Sequence, residues 1–206
     1  MSTRLPLHEF KITHSDWPVG PPSPETPITN PLSLLLCRYP FGAYLSNPNF
    51  ALIYSHKNPY DVYTDPLYAM LTAGSSAPLE RPKKKGAQTF WMKTYSENVG
   101  LLEKLEEGGV VKRTGQEHRQ GFVTLVAVET VLVDGQWAEV CHNNTGCGRR
   151  EQLEMAETRM KRCARCRDVW YCGKECQEAG WGEHKKRCKV LKEAAERRAA
   201  VGEDAS

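Results

Sequence analysis

No apolar run in this sequence is long enough to cross a bilayer. LSLLLC, ending at Cys37, is far short of a membrane span, and FVTLVAVETVLV is interrupted by Thr and Glu. The opening stretch MSTRLPLHEFKITH has no apolar centre of the kind a secretory signal needs. Strong net charge is missing as well, with 28 Lys and Arg against 25 Asp and Glu. No Gly-x-Ser-x-Gly, phosphate loop or catalytic dyad is found, so composition and motifs offer nothing for an enzyme to work with. Cysteine is nearly absent outside one segment: seven of the eight lie between Cys141 and Cys188. These absences place the chain in a reducing compartment, cytosol or nucleus, where clustered cysteines serve as metal ligands more often than as disulfides.

What is present divides the 206 residues into four parts. Residues 1–35 are proline-rich, as in WPVGPPSPETPITNP, and are expected to be weakly ordered. Residues 36–135 read as a small α+β region of unknown role. Within it, a short helix is expected near DPLYAMLTAG, and the leucines at 101, 102 and 105 predict a helix over 89–109. Two strands should follow, VVKR and GFVTLVAVETVLV, separated by a polar turn around Gly115–Gly121. Cys37 reads as a small buried hydrophobe. Arg81, Lys83, Lys84 and Lys85 could form a nuclear localisation patch, but a solvated loop is the preferred reading, because such short basic runs are common. The third part, 141–188, is dominated by cysteine, histidine and basic residues, and 189–206 reads as a helix with a fraying tail.

Eight candidate ligands fall into four pairs: Cys141 with Cys147, Cys163 with Cys166, Cys172 with Cys176, and His184 with Cys188. Eight ligands suit two tetrahedral Zn2+ with none left over, and closed thiolate-rich coordination makes both structural. Cys-x-x-Cys bends into a knuckle, while i, i+4 spacing on a helix turns two side chains to one face. His142 is a rival ligand beside Cys141, but using it would leave a cysteine idle, so it reads as a neighbour. The pairs could join in sequence order, nested or interleaved, and spacing alone does not choose.

The stretch CARCRDVWYCGKECQEAGWGEHKKRC closely resembles the MYND-type zinc finger, including Tyr171, Gln177, Trp181 and Lys185 between and beside the ligands. The resemblance covers residues 141–188, about a quarter of the chain. It implies interleaved sites, one zinc on Cys141, Cys147, Cys172 and Cys176 and the other on Cys163, Cys166, His184 and Cys188. Two features depart from the family: the first pair is spaced CHNNTGC rather than Cys-x2-Cys, and the following gap is long. The family's modules bind protein partners, several of them short proline-containing peptides, and its peptide contacts map to Gln177 and Trp181. Trp181 has a second reading, as packing for the finger's own small core.

The resemblance therefore implies an adaptor or regulatory module, cytoplasmic or nuclear, with no membrane partner. The alternative is a zinc-dependent DNA-binding or transcriptional regulatory protein. Residues 148–200 hold fifteen Lys and Arg against nine Asp and Glu. Seven zinc-bound thiolates, counting Cys141 and Cys147 in the otherwise uncharged stretch just before, outweigh the charge of two Zn2+ by three, which halves that surplus and places nucleic acid second. Some MYND fingers are inserted in lysine methyltransferases, but only eighteen residues follow Cys188 here, and no Asn-His-rich cofactor motif is found. The expected reading is non-enzymatic.

Overall fold

The computed structural model describes residues 6–12, 32–39, 49–54, 67–75, 77–143, 147 and 160–201. The proline-rich run, the 148–159 gap and the last five residues lie outside these. Among the described residues the architecture is α+β, with three small sheets and two α-helices. In the first sheet, β1 (Glu9–Ile12), β2 (Leu32–Tyr39), β3 (Asn49–Tyr54) and β4 (Leu67–Met70) lie side by side and antiparallel. The second has the order β5 (Thr89–Lys93), β7 (Val123–Thr130), β6 (Val111–Gln120). Helix α1 (Leu101–Glu107) precedes β6. Hydrogen bonds from Ala73 N to Trp91 O and from Lys93 N to Leu71 O join the two sheets edge to edge.

Strand alternation sorts the apolar residues onto two faces. Leu34, Leu36, Phe50, Leu52, Phe90 and Met92 turn inward and meet Leu101, Leu102 and Leu105 of α1. Leu35, Cys37 and Ile53 take the opposite face with Ala138 and Val140. Cys37 is fully buried there, as a small hydrophobe would be.

Several local expectations change. Residues Glu9–Ile12 form a strand on β2, inside the stretch read as weakly ordered, because Phe10 and Ile12 supply a buried alternating face. The helix expected over 89–109 is confined to Leu101–Glu107. Its amino-terminal part is strand β5, where Thr, Phe and Trp favour a pleated surface. The short helix near DPLYAMLTAG is instead strand β4. The polar turn expected at 115–121 is mostly β6, a charged edge strand that keeps a bulge between Arg113 and Glu117. Its turn to β7 comes only at Gly121, whose φ of 61° suits glycine.

The segment 138–142 positions the remainder of the chain. Its first residues form β8 (Ala138–Glu139), parallel to Cys37 and Arg38 of β2. Three residues on, Cys141 bridges Trp170, and His142 N donates to Trp170 O at 2.8 Å. Trp170 belongs to the third sheet, a two-residue ladder of β9 (Lys161–Arg162) and β10 (Trp170–Tyr171). One extended strand thus belongs to the β-sheet region at one end and to the cysteine-rich region at the other. Helix α2 (Lys174–Val201) completes the fold. Among the described residues no helix is long and apolar enough to cross a membrane.

Candidate metal centre

Four short structures present the ligands. Cys141 ends the stitching strand, and Cys147 is brought back toward it by a bond from its N–H to Asn143 O, 3.1 Å. Cys163 and Cys166 form the knuckle between β9 and β10, closed by Cys163 N to Val169 O and Arg167 N to Cys163 O, both 2.9 Å. Cys172 follows β10, and Cys176 lies in the first turn of α2. His184 and Cys188 sit one turn apart further along α2, on its inward face.

The eight side chains gather as two interleaved sets, Cys141, Cys147, Cys172 and Cys176 in one, Cys163, Cys166, His184 and Cys188 in the other. Within each set the ligand atoms lie within 4.8 Å of one another. A zinc tetrahedron with Zn–S bonds of about 2.3 Å has edges of about 3.8 Å. The observed separations approach that edge: 3.6 Å from Cys147 Sγ to Cys172 Sγ, and 3.4 Å from Cys172 Sγ to Cys176 Sγ. In the second set His184 Nε2 lies 3.3 Å from Cys163 Sγ and 3.6 Å from Cys166 Sγ. His142 belongs to neither set, and its ring packs 5.3 Å from that of His184.

The chemistry of the donors asks for a cation. Burial, with Cys163 and Cys188 close by, pushes the Cys166 thiol up to about 12. Burial raises Cys141 and Cys172 as well. Without a positive charge these groups would stay protonated; a dication between them makes the thiolates stable. The residues fit two Zn2+ whose role is structural, since each set closes with four protein ligands. Around the first set, the Asn143 side chain hydrogen-bonds Cys176 and holds its thiol below the ordinary value.

The two sets differ in protection. All four ligands of the second are buried, whereas Cys147, Cys172 and Cys176 of the first are half-buried. A competing chelator is expected to strip the first zinc before the second, giving two release phases in a colorimetric zinc assay. Cys176→Ser should abolish the fast phase and leave the slow one.

The finger packs its own small core. Met160, Val169, Trp170, Tyr171 and Leu191 surround the ligands, with Trp181 partly buried beside them. The Trp181 ring lies 5.6 Å from that of His184. At Gly180 α2 passes close to Tyr171 and Asn143: a Cβ there would stand 3.2 Å from Tyr171 Cε1 and 3.4 Å from Asn143 Cα. Glycine inside this helix is therefore a packing requirement, which offsets its poor helix propensity.

One group that sequence reasoning passed over is Arg38. Its Nε donates to Glu139 Oε2 at 3.2 Å, its Nη1 to Asp168 Oδ1 at 3.3 Å, and its Nη2 to Asp168 O at 3.1 Å. Trp137 Nε1 donates to the other Glu139 oxygen at 3.1 Å. Burial works against the charge of Arg38, but Glu139 and Asp168 more than compensate, and the guanidinium is held above its ordinary value. This network locks the knuckle onto β2 and β8. No motif marks it, because its partners lie about one hundred residues or more apart in sequence.

Residues 141–188 match the MYND finger family. This segment is a MYND zinc finger. Its distant relatives include SET–MYND methyltransferases. The histone-lysine N-methyltransferase ASHR1 of Arabidopsis thaliana is 39% identical over 78 residues, which is 38% of this chain and 15% of that protein. The human histone-lysine N-methyltransferase SMYD3 is 40% identical over 38 residues, 18% of this chain and 9% of that protein. SET domain-containing protein 14 of Caenorhabditis elegans is 50% identical over 38 residues, 18% of this chain and 8% of that protein. Each match thus spans less than a sixth of the relative's length. No solved structure matches the chain.

Proposed function

We propose that this protein is a non-catalytic adaptor or regulatory module whose MYND finger reads short proline-containing peptide segments of a partner protein. The observation that carries this reading is the finger itself, a protein-interaction module held rigid by two structural zincs. Gln177 and Trp181 are four residues apart on α2, so they share one helix face, and both stay partly exposed beside the zinc clusters. An amphipathic indole on a metal-held scaffold combines a large apolar contact with little conformational entropy to lose.

The non-catalytic reading rests on what the shared segment is. The homology to methyltransferases covers a small part of each of those proteins, and the ligand sets leave no open coordination position. A hollow of about 410 Å³ beside α1 brings together Glu103, Arg113 and Glu117, but Arg113 is committed to ion pairs with Glu103 and Glu106. None of the eight cysteines is in a disulfide and seven belong to the metal sets, a usage that suits a reducing cytosol or nucleus.

Trp181→Ala tests the peptide reading. Binding of proline-containing peptides, measured by calorimetry, is expected to fall at least about tenfold, while the zinc count stays at two. Unchanged affinity in Trp181→Ala and Gln177→Ala would refute the assigned face.

A further inference from the structure

Two basic segments far apart in sequence abut in the fold. The first is the loop around Arg81, Lys83 and Lys85, all exposed. The second is the exposed rim of the zinc knuckle, with Lys161, Arg165 and Arg167. Asp134 joins them: its N–H donates to Gly86 O at 3.0 Å, and its carboxylate pairs with Arg162. Arg162 in turn lies over the Trp170 ring, 4.4 Å from its centroid. Among the described residues none of the six cations first named forms an ion pair.

The loop is also held in place. The buried Glu129 carboxylate accepts from Lys84 N at 3.3 Å, and Lys84 Nζ donates to Val131 O at 3.2 Å. A loop pinned at its centre presents its charges on a fixed frame rather than as a free linear signal, which lowers the ordering cost of binding.

We infer that this composite surface docks an acidic polypeptide segment, a partner site separate from Gln177 and Trp181. The seam decides the partner class. Asp134, with a side chain 40% exposed, stands between the two basic groups. Its pairing with Arg162 leaves the seam neutral, so the cations form two separate clusters, which match a polypeptide with two acidic clusters and a neutral spacer better than a uniformly charged phosphate backbone. Neither segment carries an exposed aromatic for base stacking, and the rings of Trp170 and Tyr171 are buried. Lys161 stands on a two-residue ladder, and none of the six cations lies on a helix or a long ribbon that could enter a groove.

The test uses the full chain and a labelled peptide with two Glu/Asp clusters around a Gly-Ser spacer, followed by anisotropy at low ionic strength. Lys83→Glu/Lys85→Glu and Lys161→Glu/Arg165→Glu are each expected to weaken binding about tenfold or more, with two zincs retained. Lys174→Glu/Lys189→Glu, exposed on α2, should change it by less than about threefold. Equal weakening by the α2 control would overturn the proposal. So would indifference to either arm, or tighter binding of a random 20-base-pair duplex than of the peptide at the same salt, which would make this a nucleic-acid surface. Proline-peptide binding should be unaffected by both arms, so failure here is distinguishable from failure of the Trp181 face.

Discussion

Replacing Cys166 by serine is expected to remove one zinc of the two and to unfold the finger's second half. Cys166 belongs to the fully buried set, in which the knuckle supplies two ligands and α2 the other two. The ion is the main connection between them. The small core that remains, centred on Val169, Tyr171 and Leu191, is too slight to hold α2 against the knuckle alone. Structural zinc in finger peptides has an apparent binding free energy of about 10–16 kcal/mol, and in such small units it is largely folding free energy. Intact-mass analysis under native conditions should show one zinc, and circular dichroism should show lost helix. The first set should keep its ion, because Cys141, Cys147, Cys172 and Cys176 are untouched.

The second large effect is expected from Arg38→Met. The change removes the guanidinium that bonds Glu139 and Asp168, whose side chains are only 2% and 18% exposed. Breaking a buried ion pair by removing one partner costs about 3–5 kcal/mol, because a desolvated charge loses its counter-charge. Denaturant unfolding should register a loss of that order with zinc fully bound. Adding Glu139→Gln and Asp168→Asn to the variant should recover part of it, since neutral amides carry a smaller burial penalty. A structure in which the finger hung from a flexible linker would show no such loss. The interaction is therefore a direct measure of whether the sheets and the finger form one cooperative unit.

The sequence disclosed the finger more readily than the body that carries it. Metal ligands announce themselves by residue type and spacing, and the knuckle Cys163-x-x-Cys166 has few competing explanations. The interleaving was a different matter: spacing left three pairings open, and only family resemblance pointed to the one that the strands and α2 enforce. With the unusual Cys141 to Cys147 spacing, Cys147 N still bonds Asn143 O and its thiol joins that of Cys141.

In the β-sheet region, apolar periodicity located the leucines of α1 but overextended the helix, because Phe90, Trp91 and Met92 serve a strand buried on both faces and so show no alternation. Strand β6 was masked for the opposite reason. At a charged edge its residues are mostly solvated, so composition resembles a loop. Arg38 and the joined basic surface are tertiary features, created when Glu139, Asp168 and Asp134 are brought to positions no local pattern encodes.

X-ray absorption at the zinc edge of the purified full chain tests the central claim most directly. Two closed sites built from seven cysteines and one histidine predict two zincs per chain. The average zinc should then see three to four sulfurs at about 2.3 Å and a fractional nitrogen at about 2.0 Å, with no water oxygen. One zinc per chain, or a first shell containing water, would contradict the interleaved finger.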